Sequence, residues 1–209
     1  GAAVQAYLDK RRIRRGIAVR FGMGAAPDSW DALLTAMTHK GYTKQELISA
    51  GLAVNGKNGR LYDKFRNRLM LPVIDVRGDV VGFGSRVLDK SEPKYMNTPE
   101  TLTYSKRRIL YGMNLAKKSK RSNIILCEGN LDVVTLHQAG FDNAVASMGT
   151  ALTQEQLRLL SRYTKELVLC YDNDNAGQQA TRRALELLNN SEFSVKVLQL
   201  PRRLVDGEY

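Results

Sequence analysis

Two cysteines, two histidines, one tryptophan and five prolines among 209 residues exclude several functions at once. Cys127 and Cys170 each lie on or at the end of an apolar run, so packing is the expected role of both, and they build neither a disulfide scaffold nor a zinc framework. The expected compartment is the cytoplasm. His39 and His137 stand alone, which leaves no histidine metal centre and no histidine general base. No apolar run approaches the length of a membrane span and no signal peptide is visible, so no membrane role is expected. Carboxylates are also in short supply, 21 against 32 lysines and arginines, for a formal charge of +11. The shortage is local. Residues 1–121 hold 24 cations against 10 acids, whereas residues 122–209 hold 8 against 11. A mild excess would be a solvated surface; +14 beside an acid-rich half is the pattern of a phosphate-backbone grip next to a metal site.

The basic half reads as an α+β subdomain. A basic helical pattern covers Val4 to about Arg15, and Ile17 to Phe21 suggests a second short helix. Asp28 or Ser29 is placed to cap a helix through Thr38, and Thr43-Lys44-Gln45-Glu46 has the capping-box form. The period then changes. Leu52–Val54 with Arg60–Tyr62, and Leu69–Val76 with Val80–Val87 around Arg77-Gly78-Asp79, read as two hairpins. Residues 92–105 hold Pro93 and Pro99 and read as an extended functional loop with no packed core, followed by a basic helix or linker over 115–121.

The acidic half alternates regularly. Strands over 123–127, 143–147, 166–171 and 194–200, with helices over 130–139, 153–162 and 176–189, give an α/β domain with a mainly parallel sheet. Gly140 is expected to cap the first of these helices at its carboxyl end. Two acidic segments follow apolar strands, Cys127-Glu128-Gly129-Asn130-Leu131-Asp132 and Tyr171-Asp172-Asn173-Asp174-Asn175-Ala176-Gly177. Ligands of such sheets bind at strand carboxyl ends where the strand order reverses. Glu128, Asp132, Asp172 and Asp174 could converge there, and hard oxygen donors favour Mg²⁺ or Mn²⁺. Glu128 can serve as ligand or as proton acceptor. Asp132 can bind metal or simply complement the helix dipole.

Glu128-Gly129 and Asp172-Asn173-Asp174 resemble the motifs of a Toprim domain, shared by primases, topoisomerases and some nucleases. Upstream, Phe65-Arg66-Asn67-Arg68, Val81-Gly82-Phe83-Gly84-Ser85-Arg86, Lys94-Tyr95-Met96-Asn97-Thr98-Pro99-Glu100-Thr101 and Tyr104-Ser105-Lys106 resemble, in order, the sequence blocks of DnaG-type bacterial replicative primases. Arg20-Phe21-Gly22-Met23-Gly24 with Ala26-Pro27 and Trp30 is similar to the amino-terminal subdomain of that family. The resemblance implies a basic subdomain over 1–121 and a Toprim domain over 122–209, truncated at its carboxyl end. It implies template-directed synthesis of short RNA primers on single-stranded DNA from rNTPs, with catalysis on Glu128, Asp172 and Asp174 and metal on these and Asp132. Template and nucleotide contacts fall on Arg20, Arg66, Arg68, Arg86, Lys94, Tyr95, Asn97 and Lys106, each of which read singly is an exposed basic or polar residue. A zinc-binding domain and a domain contacting the replicative helicase belong to the family pattern and are absent from these residues. The resemblance also implies a third acidic motif, Asp-Pro-Asp, shortly after the last strand; it is missing because the chain stops at Tyr209, Asp206 and Glu208 lie nearby without matching it, and the chain reads as a monomeric piece of something longer. A Toprim nuclease or topoisomerase, and a non-catalytic single-strand binder, are the competing readings.

Overall fold

The structure, a computed structural model, describes residues 1–199. The last sequence-predicted strand therefore ends outside the described residues, as do Asp206 and Glu208. The chain divides into two compact units, Gly1–Ser105 and Lys106–Tyr209.

In the first unit, helices α1 (Ala2–Lys10) and α2 (Arg15–Arg20) precede strand β1 (Gly24–Ala26), helices α3 (Ala32–His39) and α4 (Lys44–Ser49), and strands β2 (Ala53–Asn55), β3 (Leu61–Asp63), β4 (Arg68–Ile74), β5 (Val80–Val87) and β6 (Tyr95–Asn97). One antiparallel sheet has the order β1-β4-β5-β6, and β2-β3 form a separate hairpin. Both sequence-predicted hairpins are present. Leu69, Leu71 and Val73 alternate along β4 and are fully buried, as the period of two demands. Three expectations are corrected. The first helix stops at Lys10, because Arg12 turns to φ +55° and breaks the pattern before Arg15. Neither Asp28 nor Ser29 caps α3. The Asp63 carboxylate, from β3, accepts from the amides of Leu33 at 2.7 Å and Leu34 at 2.9 Å. Residues 92–105 contain a strand, β6, and contribute to the core through Thr98 and Tyr104, each with no exposed surface. The strand forms because Thr98 exchanges bonds with Phe83, receiving its amide on Oγ1 at 2.8 Å, while the bare Gly82 admits Tyr104 and Thr98 against the backbone.

The second unit begins with helix α5 (Met113–Ala116), four residues long where a longer basic helix or linker was expected. Strand β7 (Asn123–Cys127), helix α6 (Asn130–Gln138), strand β8 (Ala144–Ala146), helix α7 (Gln154–Leu160), strand β9 (Glu166–Cys170), helix α8 (Asn175–Leu188) and strand β10 (Ser194–Val197) follow. All pairings in the order β10-β9-β7-β8 are parallel, matching the expected α/β sheet. Tyr111 bridges to Ala146 beyond the β8 edge. Thr153 and Gln156 form a capping box at α7, and Gly140, at φ +92°, terminates α6. Successive crossovers run from β7 outward to β8, then back past β7 to β9. The order therefore reverses between β7 and β9, which opens a crevice at their carboxyl ends.

Asp63 is 2% exposed and supplies two amide acceptors to a helix 29 residues away in sequence. Asp63→Ala is expected to lower unfolding stability by about 2 kcal/mol, with Asp63→Asn losing roughly half as much, in urea titrations followed by circular dichroism.

Candidate active site

Cys127 and Cys170 are register partners in β7 and β9. The chain leaves the sheet beside itself there, with strands about 4.8 Å apart. Glu128 follows one partner and Asp172 lies two residues beyond the other. The Asp172 amide donates a long 3.4 Å bond to Glu128 Oε2. Asp172, Asp174 and Asp132 are all near enough to act on Glu128, whose carboxyl is held above its usual range first by burial and then by these three negative neighbours. The structure thus gathers the four sequence-predicted acids at one edge. Two of them also have structural work. Asp132 accepts from the Gly129 amide at 2.9 Å, and Asp174, the N-cap of α8, accepts from Gly177 at 2.8 Å.

Gly177 is the residue that sequence reading missed. A Cβ there would overlap the Asp172 carbonyl oxygen and sit 2.7 Å from the carbonyl carbon. The close approach of α8 to the Asp172 backbone thus requires glycine. Its spacing, three residues after a capping Asp, was the available signal. Also missed were Arg182 and Arg183. Arg182 lines a cleft of about 300 Å³ with Tyr171, Asp172 and Gln199; Arg183 lines one of about 260 Å³ with Glu128, Thr150 and Tyr171. A further cleft of about 410 Å³ holds Lys165 and Phe193 at the amino ends of the strands, the edge opposite the acids.

Among the described residues no three of these side chains already surround one point in metal-holding geometry. The donor chemistry nevertheless fits a divalent cation. Every donor is a hard oxygen, Asp172 and Asp174 are exposed, and the mutual repulsion felt by Glu128 is what such an ion would neutralise.

In the first unit the predicted basic residues form two groups. Arg86 stacks 4.5 Å from the Tyr7 ring and 5.8 Å from Tyr95, its cross-strand partner, while Lys94 Nζ lies 5.7 Å from Tyr95. Tyr95 is 53% exposed, an open ring flanked by cations. Arg66 lies 4.2 Å from the Trp30 ring and 5.0 Å from Tyr62 and donates to the Asp63 carbonyl. Arg68, close to Arg66, is 5% exposed; burial and then Arg66 lower its proton affinity. One of its nitrogens donates to Pro93 at 2.8 Å and Nη1 makes no hydrogen bond. Asn97 sits on β6, opposite Gly84. Arg20 ends α2 and is exposed. Lys106 belongs to the second unit, where its carbonyl accepts from the buried Gln156 at 3.0 Å.

A family model described as the N-terminal domain of the DNA primase catalytic core matches residues 1–117. The chain belongs to the DNA primase catalytic core family. A second model, Toprim-like, matches residues 125–207 and covers the acidic edge. The DNA primase of Clostridium acetobutylicum is 49% identical over 196 residues, covering 93% of this chain and 33% of the relative. That of Deinococcus radiodurans is 43% identical, covering 93% and 35%. The chain therefore spans about a third of the length of these relatives. The solved Escherichia coli primase catalytic core superposes with a TM-score of 0.89 at 39% identity, covering 99% of this chain and 67% of that one. A primase catalytic domain solved bound to ssDNA gives 0.87 at 38% identity, covering 98% and 68%.

Two outcomes follow for this primase-core edge. Gly177→Ala should cost about 2–3 kcal/mol in chemical denaturation, because backbone must shift to admit the methyl. Glu128→Gln should melt higher than wild type at neutral pH. The raised carboxyl means that the ionised form is disfavoured in the fold, so wild-type stability falls as pH rises above the ordinary value of 4.5. The gap between the two proteins should close below that pH in calorimetric scans.

Proposed function

We propose that this chain is the polymerising part of a primase, joining rNTPs into short RNA primers along single-stranded DNA in the cytoplasm. The observation that carries the reading is the acidic pair, Glu128 beside Asp172, at the point where the parallel sheet reverses its order. Relatives with the same chain segment are DNA primases, and a similar primase catalytic domain was solved bound to ssDNA.

Glu128, Asp172 and Asp174 would hold the cation, with Asp132 completing the acidic surround. Bound Mg²⁺ or Mn²⁺ supplies acidity to an attacking 3′-hydroxyl and counter-charge to the triphosphate. Glu128, with its raised proton affinity, can also accept that hydroxyl proton. Tyr95 offers its exposed ring to a base, while Arg86 and Lys94 beside it take the adjoining phosphates. Arg66, held against Trp30 and Tyr62, presents its guanidinium to a phosphate, and the buried Arg68 beside it adds positive charge. Asn97 and Lys106, with Arg20 at the margin, complete the nucleotide and template contacts. The basic half, 1–121, grips the strand and the Toprim half, 122–209, performs the chemistry. Zinc binding and contact with the replicative helicase belong to the remainder of the longer protein, and the core acts as a monomer.

In the longer parent protein, Asp172→Asn should reduce labelled oligoribonucleotide synthesis on a single-stranded template at least about 10²-fold without loss of template binding. Asp172 is the informative position because Asp174 also caps α8. Undiminished synthesis would remove the catalytic assignment.

A further inference from the structure

Residues 10–15 read Lys-Arg-Arg-Ile-Arg-Arg, and all five cations are exposed around the buried Ile13. The turn closes α1 in the Schellman manner, with the Arg12 amide donating to Asp9 and the Ile13 amide to Leu8, both at 2.9 Å. This geometry holds residue 12 at φ +55°, where glycine is the least costly residue and a side chain with Cβ is disfavoured. Arg14 then occupies the N-cap of α2 without a capping bond, Arg15 opens that helix, and no acid lies in its first turn. Lys10 and Arg11 stand at a helix carboxyl end, where cations are favoured. Arg12, Arg14 and Arg15 stand where local folding disfavours them. Local stability is conceded three times within four residues, a signature of a segment shaped by something other than folding.

The turn is also continuous with the open Tyr95 ring. The Arg11 guanidinium lies 5.6 Å from Tyr7, Tyr7 carries Arg86 at 4.5 Å, and Arg86 reaches Tyr95 at 5.8 Å. We propose that the 10–15 turn is a second phosphodiester grip, which takes the backbone of the single strand beyond the Tyr95 ring. The proposal rests on the single-strand reading given above. The turn reads no base, since it offers only charge, so its contribution is independent of sequence and sensitive to salt.

The test is fluorescence anisotropy of the 209-residue chain with oligothymidylates of graded length across a range of salt concentrations, beside thermal melting of the same proteins. Arg12→Gly and Arg14→Ser should each weaken binding about fivefold near 0.1 M salt and reduce the log–log salt slope by about 0.7, the loss of one single-strand phosphate contact. The loss should appear only with strands long enough to pass the Tyr95 ring, and Arg12→Lys should recover most of it. Both variants should melt about 2 °C higher, one by taking the left-handed turn freely and the other by capping α2. Weaker binding with a higher midpoint supports the proposal. Unchanged affinity and slope on strands the parent chain binds well, or a lowered midpoint in both variants, would overturn it. Failure of the parent chain to bind any strand would instead defeat the underlying single-strand reading.

Discussion

The pairing of β7 with β9 is the constraint on which the acidic edge depends. Parallel strands in step at Cys127 and Cys170 end together, so whatever follows them emerges side by side. Carboxylates do not gather of their own accord: at roughly 5 Å and an effective dielectric near 20, two unit charges repel by about 3 kcal/mol. The backbone ladder must hold them there, and buried side chains on both strands supply the force. Leu126 and Leu169 are buried on neighbouring strands, and each such side chain contributes about 1.5–3 kcal/mol through its removal from water. Several of these exceed the repulsion comfortably. The hydrophobic sheet is what makes the acidic edge affordable.

Around that edge, local bonds divide the carboxylates by freedom. Asp132 and Asp174 are each held by a helix amide, which fixes their backbones and satisfies donors that would otherwise be open. Glu128 accepts a long bond from the Asp172 amide, and among the described residues the Asp172 carboxylate has no comparable helix-amide anchor. One pair is anchored and the other can adapt, which suits a site that must meet a cation and then a changing phosphate. Gly177 belongs to the same arrangement, since α8 can start so close to Asp172 only where no methyl intervenes. In the first unit the same economy places Asp63 at the start of α3 and Arg66 against Trp30. A single buried strand end there orders a helix and, through its carbonyl, an arginine.

What the sequence disclosed were features written in neighbouring residues. The capping boxes at Thr43 and Thr153, the turn around Gly78, the strand-helix alternation after residue 122 and the pairing of two acidic strand ends all depend on spacings within a few positions. Features with distant partners were hidden. Asp63 caps a helix nearly thirty residues upstream, so nearby Asp28 and Ser29 seemed the natural candidates. Strand β6 exists because Phe83 and Thr98 bond across the sheet, and no alternation within 92–105 announces it. Asp132 shows the limit within the site itself. Its sequence fits both a helix-start acid and a metal ligand, and in the structure it does the first while its charge also acts on Glu128.

Departures from local stability are therefore informative only once their structural uses are accounted for. Arg68 is buried with one nitrogen unbonded, yet another nitrogen ties down the Pro93 carbonyl, so part of that burial serves the fold. Glu128 has no comparable excuse. Its long bond to a backbone amide at the rim could be replaced by water at almost no cost, whereas its burial and three acidic neighbours all oppose its charge. A neutral residue would fold better at that position. The persistence of a carboxylate where folding disfavours one, beside a second whose backbone approach demands a glycine, is the physical argument for chemistry at this edge, and it would stand if no relative were known.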